Sequence, residues 1–148
     1  MIAPYDSIIG AVLSDLAQLS FVLEKDERAG MTFRRGNFTL DLNTEQYYHP
    51  SLQTLLGYWE QTGKPRKFHV ATLMEVFSPE DKLFLRSEFD HQTFEGTRDA
   101  LRFEIRFLQD YKNKIFCDPP SYISACHKSE VEAMRKAGFI VDDNGVLG

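Results

Sequence analysis

Two cysteines, one tryptophan and a shortage of basic relative to acidic side chains set the first limits on this 148-residue chain. Cys117 and Cys126 cannot build a disulfide framework, and their spacing fits none of the short zinc-ligand patterns, so free thiols are expected. His127 beside Cys126 has no second pair to complete a metal site. No apolar run approaches the roughly 20 residues that span a bilayer. The opening Met1-Ile2-Ala3-Pro4-Tyr5-Asp6 lacks the basic region of a secretory signal. With 17 Lys and Arg against 22 Asp and Glu, the net charge of -5 disfavours phosphate backbones and anionic membranes. A cytoplasmic chain with neither nucleic acid nor membrane as partner is expected. Catalytic motifs are missing as well: there is no Gly-x-Ser-x-Gly elbow, phosphate loop or histidine-bearing metal motif, so the reading is non-enzymatic.

What is present is apolar and aromatic. Twelve Phe and six Tyr within 43% hydrophobic residues supply a bulky core for one domain. Ile9, Val12, Leu13, Leu16 and Leu23 lie close to a 3.6-residue period, predicting an amphipathic helix from about residue 6 to Glu24. The charged run Glu24 to Arg28 and then Ala29-Gly30 close it with a polar end and a linker. Phe38, Leu40 and Leu42 alternate with Thr39 and Asp41, the period of a half-buried strand, and Glu45 to His49 reads as its hairpin partner across Asn43-Thr44. Pro50-Ser51 opens a short helix carrying Leu52, Leu55 and Leu56 and interrupted at Gly57; residues 61–67 form a loop, and His69 to Phe77 is assigned as helix.

Ser78-Pro79-Glu80-Asp81 is a strong helix start, with serine as cap, proline at the first position and acids over the positive dipole end. That helix is expected to reach about Phe94, burying Leu83, Phe84 and Phe89 or Phe94, with Gly96 as its stop. Leu101, Phe103, Ile105 and Phe107 alternate with Arg102, Glu104 and Arg106, predicting a strand with a charged outer ladder; Asp110 to Asn113 turns it into a return strand from Ile115. Beyond the break at Asp118-Pro119-Pro120, Ser129 to Glu132 fits a capping box for a short helix ending at Gly138. Phe139 to Leu147 reads as a hairpin whose second strand stops almost where it starts.

Several of these segments also resemble a known family. Phe38 to Thr44 is similar to the first strand and turn of PAS domains, Leu55-Leu56-Gly57-Tyr58 to the end of one of their short helices, and Phe77 to Lys82 to the opening of their long helix. Arg102 to Phe107, a turn and Ile115-Phe116 resemble their next two strands. The resemblance covers residues 37–116. It implies an α+β fold, a PAS-like curved antiparallel sheet with short flanking helices and an N-terminal amphipathic helix. The implied division is a helix and linker over residues 1–30 and a PAS-like domain over 31–148, its last third atypical or truncated.

What the resemblance implies for function is a signal-sensing or protein-docking regulatory domain, passing its output to a signalling or transcription-regulating partner and working as a homodimer. An apolar ligand would be lined by Phe38, Leu40, Leu56, Phe84, Phe103 and Ile105; the competing reading, favoured by twelve Phe, is that these side chains fill the core. Ile9, Val12, Leu16 and Leu23 would present the dimer helix, or pack it over the sheet. Haem is unsupported, because His91 lies between polar residues and His69 is a weaker axial candidate. A photoactive flavin is unsupported too, since Ile105 precedes Arg106-Phe107-Leu108-Gln109 where the reactive cysteine would stand. The alternative class is a free-standing acidic binding protein of inhibitor or immunity type.

Overall fold

Phe38, Leu40 and Leu42 do face one side of a strand and Thr39, Asp41 and Asn43 the other, and this strand is the middle of the sheet. In the computed structural model, which describes residues 1–45, 50–61 and 63–147, the chain is α+β. Five strands, β1 (Val22–Glu27), β2 (Gly30–Arg35), β3 (Phe38–Asn43), β4 (Gln53–Tyr58) and β5 (Arg66–His69), pair antiparallel in the order β1-β2-β3-β4-β5. Each strand therefore neighbours the next along the chain. Register places Leu40 against Phe33 and Leu56, and Leu42 against Met31 and Thr54, so the large apolar side chains share one face.

That face packs beneath helices drawn from both ends of the sequence. Two short helices, α1 (Tyr5–Gly10) and α2 (Leu13–Gln18), precede the sheet; α3 (Val70–Phe77), α4 (Pro79–Ser87), α5 (Phe94–Asp110), α6 (Lys112–Cys117) and α7 (Pro120–Lys136) follow it. One core runs from Tyr5 through the sheet to Cys126. The expected helix over residues 6–24 is thus two helices and the beginning of a strand. Ser20 adopts a positive φ of 64°, which ends helical geometry, and the β-favouring Phe21-Val22-Leu23 enters β1. The charged run after Leu23, read as a helix end and linker, is an exposed edge strand. Charge suits that place because it discourages pairing with another chain.

Other expectations shift for equally physical reasons. The predicted helix over Leu52 to Leu56 is β4, and its Gly57 allows a close cross-strand approach: a Cβ there would lie 2.6 Å from Thr39 Oγ1. Gly96, expected to stop a helix, is buried in the first turn of α5, where a Cβ would meet the Asp90 carbonyl oxygen at 1.8 Å. The cap there is Thr93, whose Oγ1 accepts the Gly96 N–H at 3.0 Å. The helix begun at Pro79 ends at Ser87, and it buries Leu85 while Leu83 and Phe84 are exposed.

Both strands of the predicted second hairpin are helical, within α5 and α6. Leu101, Ile105 and Leu108 repeat at helical spacing as well as falling partly on an alternating pattern, and the 17-residue length of α5 belongs to a helix. The capping-box residues Ser129 to Glu132 lie inside α7, which starts earlier, at Pro120; its end near Gly138 matches expectation, with Gly138 at φ 95°. The expected terminal hairpin is reduced to one bridge between Val141 and Leu147. The strand expected over Glu45 to His49 falls mostly on residues 46–49, outside the described residues. α3 coincides with the expected helix.

Candidate functional site

The residues singled out from sequence do not converge on one pocket. Phe38, Leu40 and Leu56 are buried on the inner face of the sheet and Ile105 on α5, whereas Phe103 is half-buried and Phe84 is 45% exposed. Phe84, Phe89 and Phe103 form a separate aromatic cluster, with Phe84 and Phe103 centroids 4.9 Å apart. None of the six lines the cavity beside Glu104. Ile9, Val12 and Leu16 pack inside this chain at no more than 1% exposure, so the N-terminal helices face the core; Leu23 is exposed on β1. His69 ends β5 and is exposed. No group of three or more His, Cys, Asp and Glu able to hold a metal occurs among the described residues, and no helix among them is long and apolar enough to cross a membrane.

A different residue marks the site. Glu104 occupies the inward stripe of α5 together with Ala100, Leu101, Ile105 and Leu108, where a helix packed on a core carries apolar side chains. Burial lifts its carboxyl from the ordinary 4.5 to about 8; the Thr54 hydroxyl facing it from β4 offsets this only in part. Glu104 as a residue keeps some exposure, but protein surrounds its carboxyl closely enough to favour the neutral acid. Thr54 is 4% exposed, and its Oγ1 has no hydrogen-bond partner of proper geometry among the described residues. The carboxyl of Glu104 is the polar group that the Thr54 hydroxyl faces.

Glu104 lines a cavity of about 220 Å³ with Pro50, Ser51, Leu52, His91, Thr97, Ala100 and Leu101. Several contacts fix this lining. Tyr5, buried on α1, accepts the Ser51 N–H through its hydroxyl at 3.1 Å, which ties the segment before β4 to the N-terminal helix. Thr97 Oγ1 donates to the Thr93 carbonyl at 2.8 Å, within the capped first turn of α5. His91 Nε2 lies 2.8 Å from the Leu85 carbonyl oxygen, and a carbonyl only accepts, so that nitrogen donates and the ring is held at the exposed rim. Pro50, Leu52, Ala100 and Leu101 supply an apolar wall. The Ser51 and Thr97 hydroxyls, the His91 imidazole and the Glu104 carboxyl supply its polar groups.

The sheet's other face has a different character. Asp41, only 6% exposed, accepts from Thr32 Oγ1 at 2.8 Å and from Lys67 Nζ at 2.8 Å. Trp59 donates its indole N–H to Thr39 Oγ1 at 3.1 Å, and the Arg34 guanidinium lies 5.6 Å from its ring. These polar contacts are satisfied within the sheet. Comparison of the chain with protein-family models, with curated proteins and with solved structures finds no match.

Proposed function

We propose that this chain is a ligand-receiving regulatory domain whose receptor site is the Glu104 cavity. The observation that carries the reading is a buried carboxyl, faced by the Thr54 hydroxyl, that lines a space large enough for a small molecule. A cavity of about 150 Å³ already holds benzene in a well-packed protein, so about 220 Å³ leaves room for a ring-sized body and a polar group. Sensing is one of the roles implied by the PAS resemblance. Here the supporting residues are polar and lie between α5, β4 and the segment at Pro50 to Leu52, instead of the apolar set expected from that resemblance.

The α1 and α2 helices give such binding a route to the rest of the domain, because Tyr5 holds Ser51 at the cavity rim while Ile9, Val12 and Leu16 are seated in the core. The test is a panel of small polar metabolites followed by amide chemical-shift mapping. The reading requires at least one compound to move the Ser51, Leu52, Thr97 and Glu104 signals together. If no compound moves them, the proposal falls.

A second reading, protein binding of inhibitor type, is favoured by the Trp59 and Arg34 pair on the opposite face. Tryptophan and arginine are the residue types that most often dominate protein interfaces. Trp59→Ala separates the two. It abolishes partner binding in the second reading and leaves the cavity signals unchanged in the first.

A further inference from the structure

Resting on the reading of the Glu104 cavity as a receptor site, we infer that it selects a small organic cation of the amidine, guanidine or amine class and releases a proton when it binds. The cavity chemistry points this way. Glu104 is the acidic group of the lining, and no charged partner contributes to its environment among the described residues. An ionised carboxyl in such a place lacks the counter-charge that buried charges require. A ligand carrying one positive charge supplies it. Its N–H groups also find acceptors in the Ser51 and Thr97 hydroxyl oxygens. The hydrocarbon part of the ligand lies against Pro50, Leu52, Ala100 and Leu101.

An anion is disfavoured on the same grounds, since it would face the carboxyl with only the rim imidazole of His91 in compensation. A neutral amide fits the space but leaves the carboxyl protonated and gains no ion pair.

Proton release follows from the state of the empty site. Glu104 titrates near 8, so about one-tenth is ionised at pH 7 and about nine-tenths at pH 9. Among the described residues that line the cavity, the other titratable group is His91, held by Leu85; β4 presents Thr54, and the segment at Pro50 to Leu52 carries no ionisable side chain.

Two pairs of probes of different size test the inference: benzamidine against the isosteric neutral benzamide, and methylguanidinium against N-methylurea. Binding is followed by calorimetry and by the Ser51 and Thr97 amide signals, at pH 7 and pH 9, with the wild-type chain and Glu104→Gln. The expected result is that at least one cation binds, that its affinity rises about tenfold from pH 7 to pH 9, and that Glu104→Gln loses at least tenfold while keeping its circular dichroism. Neutral isosteres that bind as well as the cations, or a cation affinity indifferent to pH and to Glu104→Gln, overturn the inference and leave the cavity reading standing. Failure of all four probes to move the cavity signals overturns the inference and counts against the cavity reading as well.

Discussion

Replacing Glu104 with glutamine should make the protein more stable at neutral and alkaline pH. Glu104 keeps its proton to about 8 in the fold and loses it near 4.5 when unfolded. Between these values the folded state binds more protons than the unfolded one, so stability is complete below 4.5 and declines as pH rises through 8. At ~1.4 kcal/mol per pH unit this interval amounts to a ceiling of about 5 kcal/mol, of which about 3 kcal/mol is already lost at pH 7. Glutamine presents a neutral amide of similar shape to Thr54 and has no proton to lose. Urea unfolding of both proteins at pH 5, 6, 7 and 8 measures the difference directly. Wild-type stability should fall about 3 kcal/mol further than that of Glu104→Gln across this range. Curves that stay parallel within about 0.5 kcal/mol would refute a buried, neutral carboxyl at position 104.

Gly96→Ala should destabilise the protein by about 3 kcal/mol in denaturant unfolding, because the new methyl collides with the Asp90 backbone; a loss below about 0.5 kcal/mol would show that the turn yields freely. Leu16→Asp buries a carboxylate at a position 1% exposed and should cost more than about 3 kcal/mol, seen as a fall of roughly 10 °C in Tm. A well-folded Leu16→Asp monomer would instead favour a dimer-forming role for this helix. Thiol labelling of the native protein should modify the exposed Cys117 and spare Cys126, which is buried and whose thiol is pushed up to about 12 by burial and then by Glu130. Equal rates at the two thiols would mean that α7 opens readily.

Legibility in the sequence followed how many periods a segment satisfies. Ser78-Pro79 marked the start of α4 because cap chemistry is local, although the Ser78 side chain makes no cap hydrogen bond, and Phe38 to Asn43 read correctly because its alternation has no helical counterpart. β1 was hidden because an edge strand needs no buried face and so carries no alternation. β4 was hidden because Leu52, Leu55 and Leu56 also fit a helical face.

The segment at Leu101 to Phe107 had the largest consequence for function. Read as a strand, it puts Glu104 with Arg102 and Arg106 on a solvated ladder; wound as α5, it turns Glu104 inward between Leu101 and Leu108 while Arg102 and Arg106 stay exposed. An acid in the apolar stripe of a helix is a signal that the sequence carries, but it appears only once the period is assigned correctly. Thr54 on β4, which faces Glu104, and Ser51, which shares its cavity, are separated from it by about a third of the chain, and tertiary folding alone brings them together.

The most direct measurement is a site-resolved titration of the Glu104 side-chain carboxyl carbon by NMR, assigned with Glu104→Gln. A midpoint near 8 that moves to lower pH when a cationic probe is added is the predicted result. A midpoint near 4.5, unmoved by the probe, would place the carboxyl in water and contradict the account of the cavity.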